Sequence, residues 1–385
     1  MTPAARWAAA AEIMDEITAG SPAEKALTNW ARRSRFAGSK DRAAVRDHVF
    51  DILRSWRSVA AQGGGSDGRR LVLGRLRQIG LDPDTVFSGD RHALAELTQA
   101  EKVSGSEPEG AVKADLQDWI FDIFVRDFQD KSDLYSEVLK SRAPVFLRVN
   151  LAKTNVAEAQ ANLAEDGVET KPHPLSPTAL EVTHGMRRVN QSSAYLNGLV
   201  ELQDVASQAV VDALPLERGL RVLDYCAGGG GKTLAMAAKT GSLVFAHDAN
   251  PARMKDLPDR AVRAGAKLQL VSNPTETYEL VLCDVPCSGS GSWRRSPEGK
   301  WRLLPEALER TQKVQSQILN KAAQLVAPGG YLAYATCSVF NSENEDQIEG
   351  FLERHGTWYC KSKHRFDLDM GGDGFFLAIL TRNSA

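Results

Sequence analysis

The sequence predicts an α/β protein built on a mostly parallel sheet with an antiparallel last strand, preceded by a small α+β module and an all-helical N-terminal region. Three observations predict it. Apolar residues recur at helical spacing up to about residue 140, the pattern changes at Ala143, and from Gly219 onward strand-like and helix-like segments alternate. The 385 residues, 43% hydrophobic and 25% charged, suffice for two or three domains and exclude a disordered chain.

In the first region Ile13, Met14 and Ile17, then Val45, Val49, Ile52, Leu53 and Trp56, read as helices of a bundle. Between Arg32 and Arg57 stand eight Lys or Arg (Arg32, Arg33, Arg35, Lys40, Arg42, Arg46, Arg54, Arg57) against three acids. That run is either a phosphate-facing surface or a solvated helix face with its own ion pairs. Residues 62–68 and 104–110, rich in Gly and polar residues, read as loops. The stripe Leu116, Trp119, Ile120, Ile123, Phe124 and Phe128 reads as helix core, not as a ligand site. The α+β module follows, with strands at 145–150 and 179–183 and an amphipathic helix over 155–167 that stops at Gly167. Strands of the parallel sheet are expected at 221–226, 243–248, 267–271, 279–285 and 331–337. The last strand, 374–380, follows a short loop with no crossover helix, so it is expected to insert antiparallel. A helix over 305–326 is expected to turn Leu308, Val314, Ile318 and Leu325 toward the sheet, and Ser342 with Glu345 to form a capping box for the next helix.

A formal charge of −2 means that any nucleic-acid contact comes from local patches, not from a polycationic whole. No run of 18 apolar residues exists, and Glu12, Asp15 and Glu16 interrupt the N-terminus before a signal-peptide pattern is complete. The expected location is the cytoplasm, with no membrane contact. Cys226, Cys283, Cys287, Cys337 and Cys360 all lie late in a large chain and do not form a disulfide framework.

The strand RVLD runs into YCAGGGGKT, a Gly-rich turn of the kind that brings backbone N–H groups close to a ligand. It is not a phosphate loop, because Cys226 stands where the first Gly must be. Nor is it a dinucleotide fingerprint, because Thr233 stands at the last Gly position. Asp248 ends the next strand and suits the two ribose hydroxyls of a nucleoside, although it could instead cap the helix near Pro251. Cys287 in CDVPCSGSGSWRR and Cys337 in ATCS lie just past the ends of neighbouring strands, where ligands of open α/β sheets bind and where a thiolate can act as nucleophile. The cysteines lack paired zinc-knuckle spacing, and no metal is expected.

DYCAGGGGKT, CDVPCSGSGSWRRSPEGKW and YATCSVFNSENED resemble the three signature stretches of the Sun-type (RsmB-like) family of S-adenosylmethionine-dependent RNA cytosine carbon-5 methyltransferases. The resemblance runs from about residue 144 to the C-terminus. It implies a seven-stranded class I methyltransferase domain over 201–385, an RRM-like module and linking segment over 141–200, and, more loosely, a NusB-like helical RNA-binding domain over 1–140. By the same resemblance Cys337 is the nucleophile that adds to carbon 6, Cys287 assists loss of the carbon-5 proton and product release, and Asp284 holds the cytosine edge. Lys232 faces the same site. Cys226, Ala227, Gly228, Gly229, Gly230, Gly231, Lys232, Asp248, Arg253, Asn273 and Asp284 would hold S-adenosylmethionine. Gly228 and Gly229 replace the family's usual Ala and Pro, and Asn273 stands near where the family has an acid beside the adenine. Arg294, Arg295, Lys300 and Arg302 would meet the RNA backbone from a loop. The implied substrate is a cytosine of structured RNA, with 16S ribosomal RNA favoured, and the implied protein is a monomer. Two alternatives stay open: a transfer-RNA cytosine-5 methyltransferase, and a non-catalytic RNA-binding ribosome-assembly factor.

Overall fold

A computed structural model describes residues 1–383, which pack as two compact units. One is Met1–Arg142 together with Trp293–Arg302, and the other is Ala143–Ser292 together with the chain from Leu303 onward.

The first unit is helical. Its longer helices are Pro3–Thr18, Ala23–Arg33, Ser39–Arg54, Trp56–Gly63, Gly68–Gln78, Asp118–Phe128 and Ser132–Lys140. Thr2 caps the first of them by accepting the Ala5 N–H at 3.2 Å, with Pro at the first helical turn. The predicted apolar positions Ile13, Met14, Ile17, Val45, Val49, Ile52 and Leu53 are buried in one core. Leu116, Ile120 and Phe124 are buried as expected, whereas Trp119 stays half-buried. A short helix, Glu298–Arg302, belongs to this unit although it lies far along the chain.

This placement overturns the expectation that Arg294 and Lys300 meet RNA. Both are buried: the Lys300 Nζ donates to the Arg54 carbonyl at 2.7 Å, and the Arg54 Nε donates to the Arg294 carbonyl at 2.9 Å. Burial pulls the Lys300 pKa down to about 7 against the opposing pull of Asp115. Arg295 and Arg302 remain exposed.

In the second unit, strands β1 (Phe146–Val149), β2 (Glu169–Pro172), β3 (Ala179–His184) and β4 (Val200–Leu202) form an antiparallel sheet in the order β2-β3-β1-β4. The helix Val156–Glu165, capped by Asn155, buries Ala159 and Leu163 against it. The larger sheet comprises β5 (Val222–Asp224), β6 (Val244–Ala246), β7 (Leu268–Leu270), β8 (Tyr278–Asp284), β9 (Val326–Thr336), β10 (Trp358–Phe366) and β11 (Phe375–Arg382). Its order is β10-β11-β9-β8-β5-β6-β7; β5 to β9 pair in parallel, and β11 inserts antiparallel between β9 and β10.

Both faces of this sheet are covered, as a parallel sheet requires. Leu280, Leu282, Ala333, Ala335, Leu377 and Ile379 face a core closed by the helices Val205–Asp212 and Gly231–Thr240. The alternate residues Val281, Cys283, Leu332, Tyr334 and Phe376 face a core closed by Pro305–Ala322 and Glu345–Arg354. Two expectations fail on that second side. Val314 is exposed, because the buried stripe runs Leu308, Gln315, Leu319, Ala322 and so leaves Val314 on the solvent side of the helix. The helix ends at Ala322, short of the expected 326: Leu325 lies in a single 3-10 turn, from which it still packs against the core, and Val326 already begins β9. Among the described residues no helix is long and apolar enough to cross a membrane.

Candidate active site

The sheet order reverses between β5 and β8, since β5 continues outward through β6 and β7 while β8 continues through β9. In an open α/β sheet the crevice at the carboxyl ends of such a strand pair is the ligand site. Residues Cys226–Gly231 leave β5 there, and Val285–Ser288 leave β8. Gly230, with φ of +82°, caps the helix Gly231–Thr240; a Cβ on it would lie 2.1 Å from a Leu257 methyl, so only glycine fits. The Gly230 N–H closes the turn onto the Ala227 carbonyl at 2.8 Å.

Asp248, just past the end of β6, fixes this turn instead of capping the helix beyond it. Its Oδ2 accepts the Gly228 N–H at 2.9 Å and the Arg253 Nη1 at 3.0 Å, and its Oδ1 accepts the Asn250 N–H at 2.9 Å. The cap at Pro251 is supplied by Asn250. From the opposite side the Arg260 guanidinium bonds both the Gly229 carbonyl and Glu201 of β4. Arg148 of β1, buried, donates to the Gly231 carbonyl at 2.6 Å. The small antiparallel sheet therefore buttresses the turn through Arg148, Glu201 and Arg260, none of which carries a sequence signal. Gly228 and Gly229, for all their intrinsic freedom, are held by these contacts.

Lys232 begins the helix after the turn and is buried, with its Nζ 2.7 Å from Asp284 Oδ2 and 4.8 Å from the centre of the Phe375 ring. Burial alone would lower its pKa, but the Asp284 carboxylate outweighs that and leaves it above the ordinary value, so the ammonium stays charged. Beside this pair lie the two thiols: Cys287 Sγ and Cys337 Sγ are 3.3 Å apart. Contact with Cys337, and then burial, push the Cys287 pKa well above its usual value. Cys226 is pushed up by burial and the neighbouring carboxylates, and Cys283 lies inert in the core.

Glu343 holds the two cysteine loops in register. Fully buried, it accepts the Ser288 N–H at 2.8 Å, the Ser288 hydroxyl at 2.5 Å, the Ser338 hydroxyl at 2.5 Å and the Gln315 side-chain amide at 3.0 Å. Ser290 Oγ, 2.9 Å from Ser338 Oγ, accepts the Val339 N–H, and Thr336 Oγ1 donates to Asn344 Oδ1 at 2.6 Å. The expected Ser342–Glu345 capping box is absent. Glu345 pairs with Arg365 instead, and Ser342 Oγ is buried without a partner. The acids of NSENED thus serve the loops and a strand, because a network spanning two loops satisfies more groups than one cap does.

The structure brings Lys232, Asp284, Cys287 and Cys337 together, and gathers Cys226 to Gly231, Asp248 and Arg253 around one turn. Asn273 is exposed on the loop after the edge strand β7. Glycines that leave the peptide edge open, a buried carboxylate at the end of β6 and a half-exposed one at the end of β8 fit a nucleoside-bearing methyl donor.

Fold and turn together define a class I methyltransferase. The sequence profile of the 16S rRNA methyltransferase RsmB/F family matches residues 211–380, and that of the RsmF/B-like ferredoxin-like domain matches residues 117–189. The ribosomal RNA small subunit methyltransferase B of Vibrio cholerae is 27% identical over 91% of this chain and 89% of its own. That of Xanthomonas campestris pv. campestris is 30% identical over 81% of this chain and 74% of its own. The crystal structure of PH0851 shares the fold, with a TM-score of 0.77 at 24% identity over 99% of both chains. The chain belongs to the RsmB/F family of RNA methyltransferases.

Proposed function

We propose that this protein methylates carbon 5 of a cytosine in 16S ribosomal RNA through a covalent cysteine adduct. The observation that carries the reading is the pair of thiols 3.3 Å apart beside the Lys232–Asp284 ion pair. The substrate follows the names of the relatives that align over most of both chains. S-adenosylmethionine, held by the Cys226–Gly231 turn and Asp248, supplies an electrophilic methyl group when bound.

Carbon 5 of cytosine is too weak a nucleophile to take that methyl unaided, so the ring has to be activated by addition. The Cys337 thiolate adds to carbon 6, and the electrons of the ring double bond make carbon 5 nucleophilic. The charged Lys232, held by Asp284, gives the site a cationic group beside the attacking sulfur. Asp284 binds the amidine edge of the base and favours a proton on ring nitrogen 3 as charge develops there. Once carbon 5 carries its methyl, its proton must leave. Cys287, in contact with Cys337, assists that step, after which the bond to Cys337 breaks and the double bond re-forms.

The test is a Cys287→Ala variant purified from cells and run on a denaturing gel. A slower, nuclease-sensitive band is expected, and it should disappear when Cys337→Ala is added. Sequencing the trapped RNA then separates ribosomal from transfer RNA. No band from a variant that still binds S-adenosylmethionine would overturn the roles of both cysteines.

A further inference from the structure

We propose that the helical unit carries its own single-stranded RNA site, made of an arginine pocket and a tryptophan groove, apart from the residues that perform the chemistry. The inference rests on RNA being the substrate and extends that reading to where the RNA is gripped.

Part of the basic run at 32–57 is consumed internally. Arg33 pairs with Glu16, Arg57 with Asp118, and Arg42 bonds the Ala37 carbonyl. One cluster differs. Arg46, Arg54, Arg142 and Arg295 line a pocket of about 180 Å³ whose acids are Asp47 and Asp51. Asp51 is shared between Arg54 at 2.9 Å and Arg75 at 3.6 Å, while Asp47 takes Arg142 at 3.3 Å and Glu24, outside the lining, takes Arg46 at 2.5 Å. With Arg75 and Glu24 included, guanidiniums still outnumber carboxylates, and the pocket is cationic. Burial pushes the Arg54 pKa down, with Asp51 opposing the shift and Arg142 adding to it. Such a fork of guanidiniums matches a phosphodiester.

Trp56, Trp119 and Trp301, with Arg57, line an open groove of about 570 Å³. The indole N–H groups of Trp119 and Trp301 are used on the protein side. Trp301 Nε1 donates to the Leu53 carbonyl at 2.7 Å, Trp119 Nε1 donates to Gln117 Oε1 at 3.2 Å, and the Trp56 and Trp301 rings meet edge-on at 5.9 Å. What remains toward the groove is aromatic surface, on which unstacked bases lie without regard to sequence. Pocket and groove adjoin, because Arg54 and Trp56 flank the break between two helices while Arg295 and Trp301 come from the one segment 293–302. Phosphate grip next to base stacking selects a single strand over a duplex.

The experiment measures anisotropy of a short fluorescent single-stranded RNA with the full-length protein between about 50 and 200 mM salt. Trp119→Ala is expected to weaken binding about tenfold, with Trp119→Phe restoring most of it. Arg46→Gln with Arg142→Gln, both at exposed positions, should flatten the salt dependence by about 0.7 in log–log slope for each phosphate that the protein no longer neutralises. Methyl transfer to a small-subunit ribosomal RNA transcript by the same variants should show a raised KM for RNA with kcat nearly unchanged. Wild-type binding and slope in both variants would overturn the site and leave the arginines as an intramolecular ion-pair network. Weakened binding with no RNA methylation even by the wild type would support the site and sink the methylation reading instead.

Discussion

Asp224 ends β5 just before the Gly-rich turn, fully buried, with Thr233 Oγ1 donating to its Oδ2 at 2.7 Å and its Oδ1 without a partner. Burial, reinforced by Asp284 and opposed by Thr233 and Lys232, raises its pKa to about 7. Below about pH 4 both folded and unfolded chains hold this proton, and it does not affect stability. Between about 4 and 7 the unfolded chain has released the proton while the folded chain keeps it, so stability falls as pH rises. Asp224→Asn should therefore flatten the stability–pH profile in that window, by up to about 4 kcal/mol at pH 8. Urea melts at pH 4.5, 6 and 8 measure it, and parallel profiles for the two proteins would refute the assignment. Cys337, Cys287, Asp284 and Lys232 are legible at this scale because each sits in a contiguous string at a strand end. Glu343, Arg260 and Arg148 are not. Their partners Ser288, Gly229 and Gly231 are tens of residues away, and a buried ion pair or clamp leaves no local pattern.

The segment after β9 reads locally as the start of a helix, but its acids are spent on tying two strand ends together. Glu343 joins Ser288 after β8 to Ser338 after β9 and so sets the distance between the two sulfurs. Glu343→Gln keeps the shape and removes the charge from several of these bonds, which are worth about 1.5–3 kcal/mol each in the charged form. We expect kcat to fall at least tenfold while S-adenosylmethionine binding is unchanged and alkylation of Cys337 by iodoacetamide is altered. A variant that lost cofactor affinity in proportion to kcat would show a general structural role instead. Strands β5 to β9 and β11 are readable because alternate residues enter the two cores. Strand β10 escapes because it is an edge: its run Trp358–Phe366 holds Lys361, Lys363, His364 and Arg365, which protect an exposed edge and obscure the apolar alternation. Strand β2, ETKP, is likewise an edge strand and contains a proline.

The helical unit is completed by a segment, 293–302, that follows it in the chain by about 150 positions. Lys300 and Arg54 are bonded through backbone carbonyls, Gln117 Nε2 donates to the Lys300 carbonyl at 2.6 Å, and Glu298 accepts the Ala23 N–H at 3.2 Å. Glu298 thus supplies the cap that Pro22, at the N-cap of Ala23–Arg33, has no side chain to give. No local signal marks this, since a segment reading SWRRSPEGKWR is as polar as any loop. The segment also begins six residues after Cys287, so the loop that bears this thiol continues in the chain into the segment that completes the helical unit. A fragment ending at Arg142 lacks this lining and exposes Leu53 and Arg54 groups that are otherwise bonded. Joining residues 293–302 to that fragment by a flexible Gly/Ser linker should restore the bonds and raise its melting temperature by at least about 3 °C, the shift expected of about 1 kcal/mol in a domain of this size. Circular dichroism melts of the two fragments decide it. Equal melting temperatures would mean that the segment only lies against the helices, whereas the expected rise would make it part of their core.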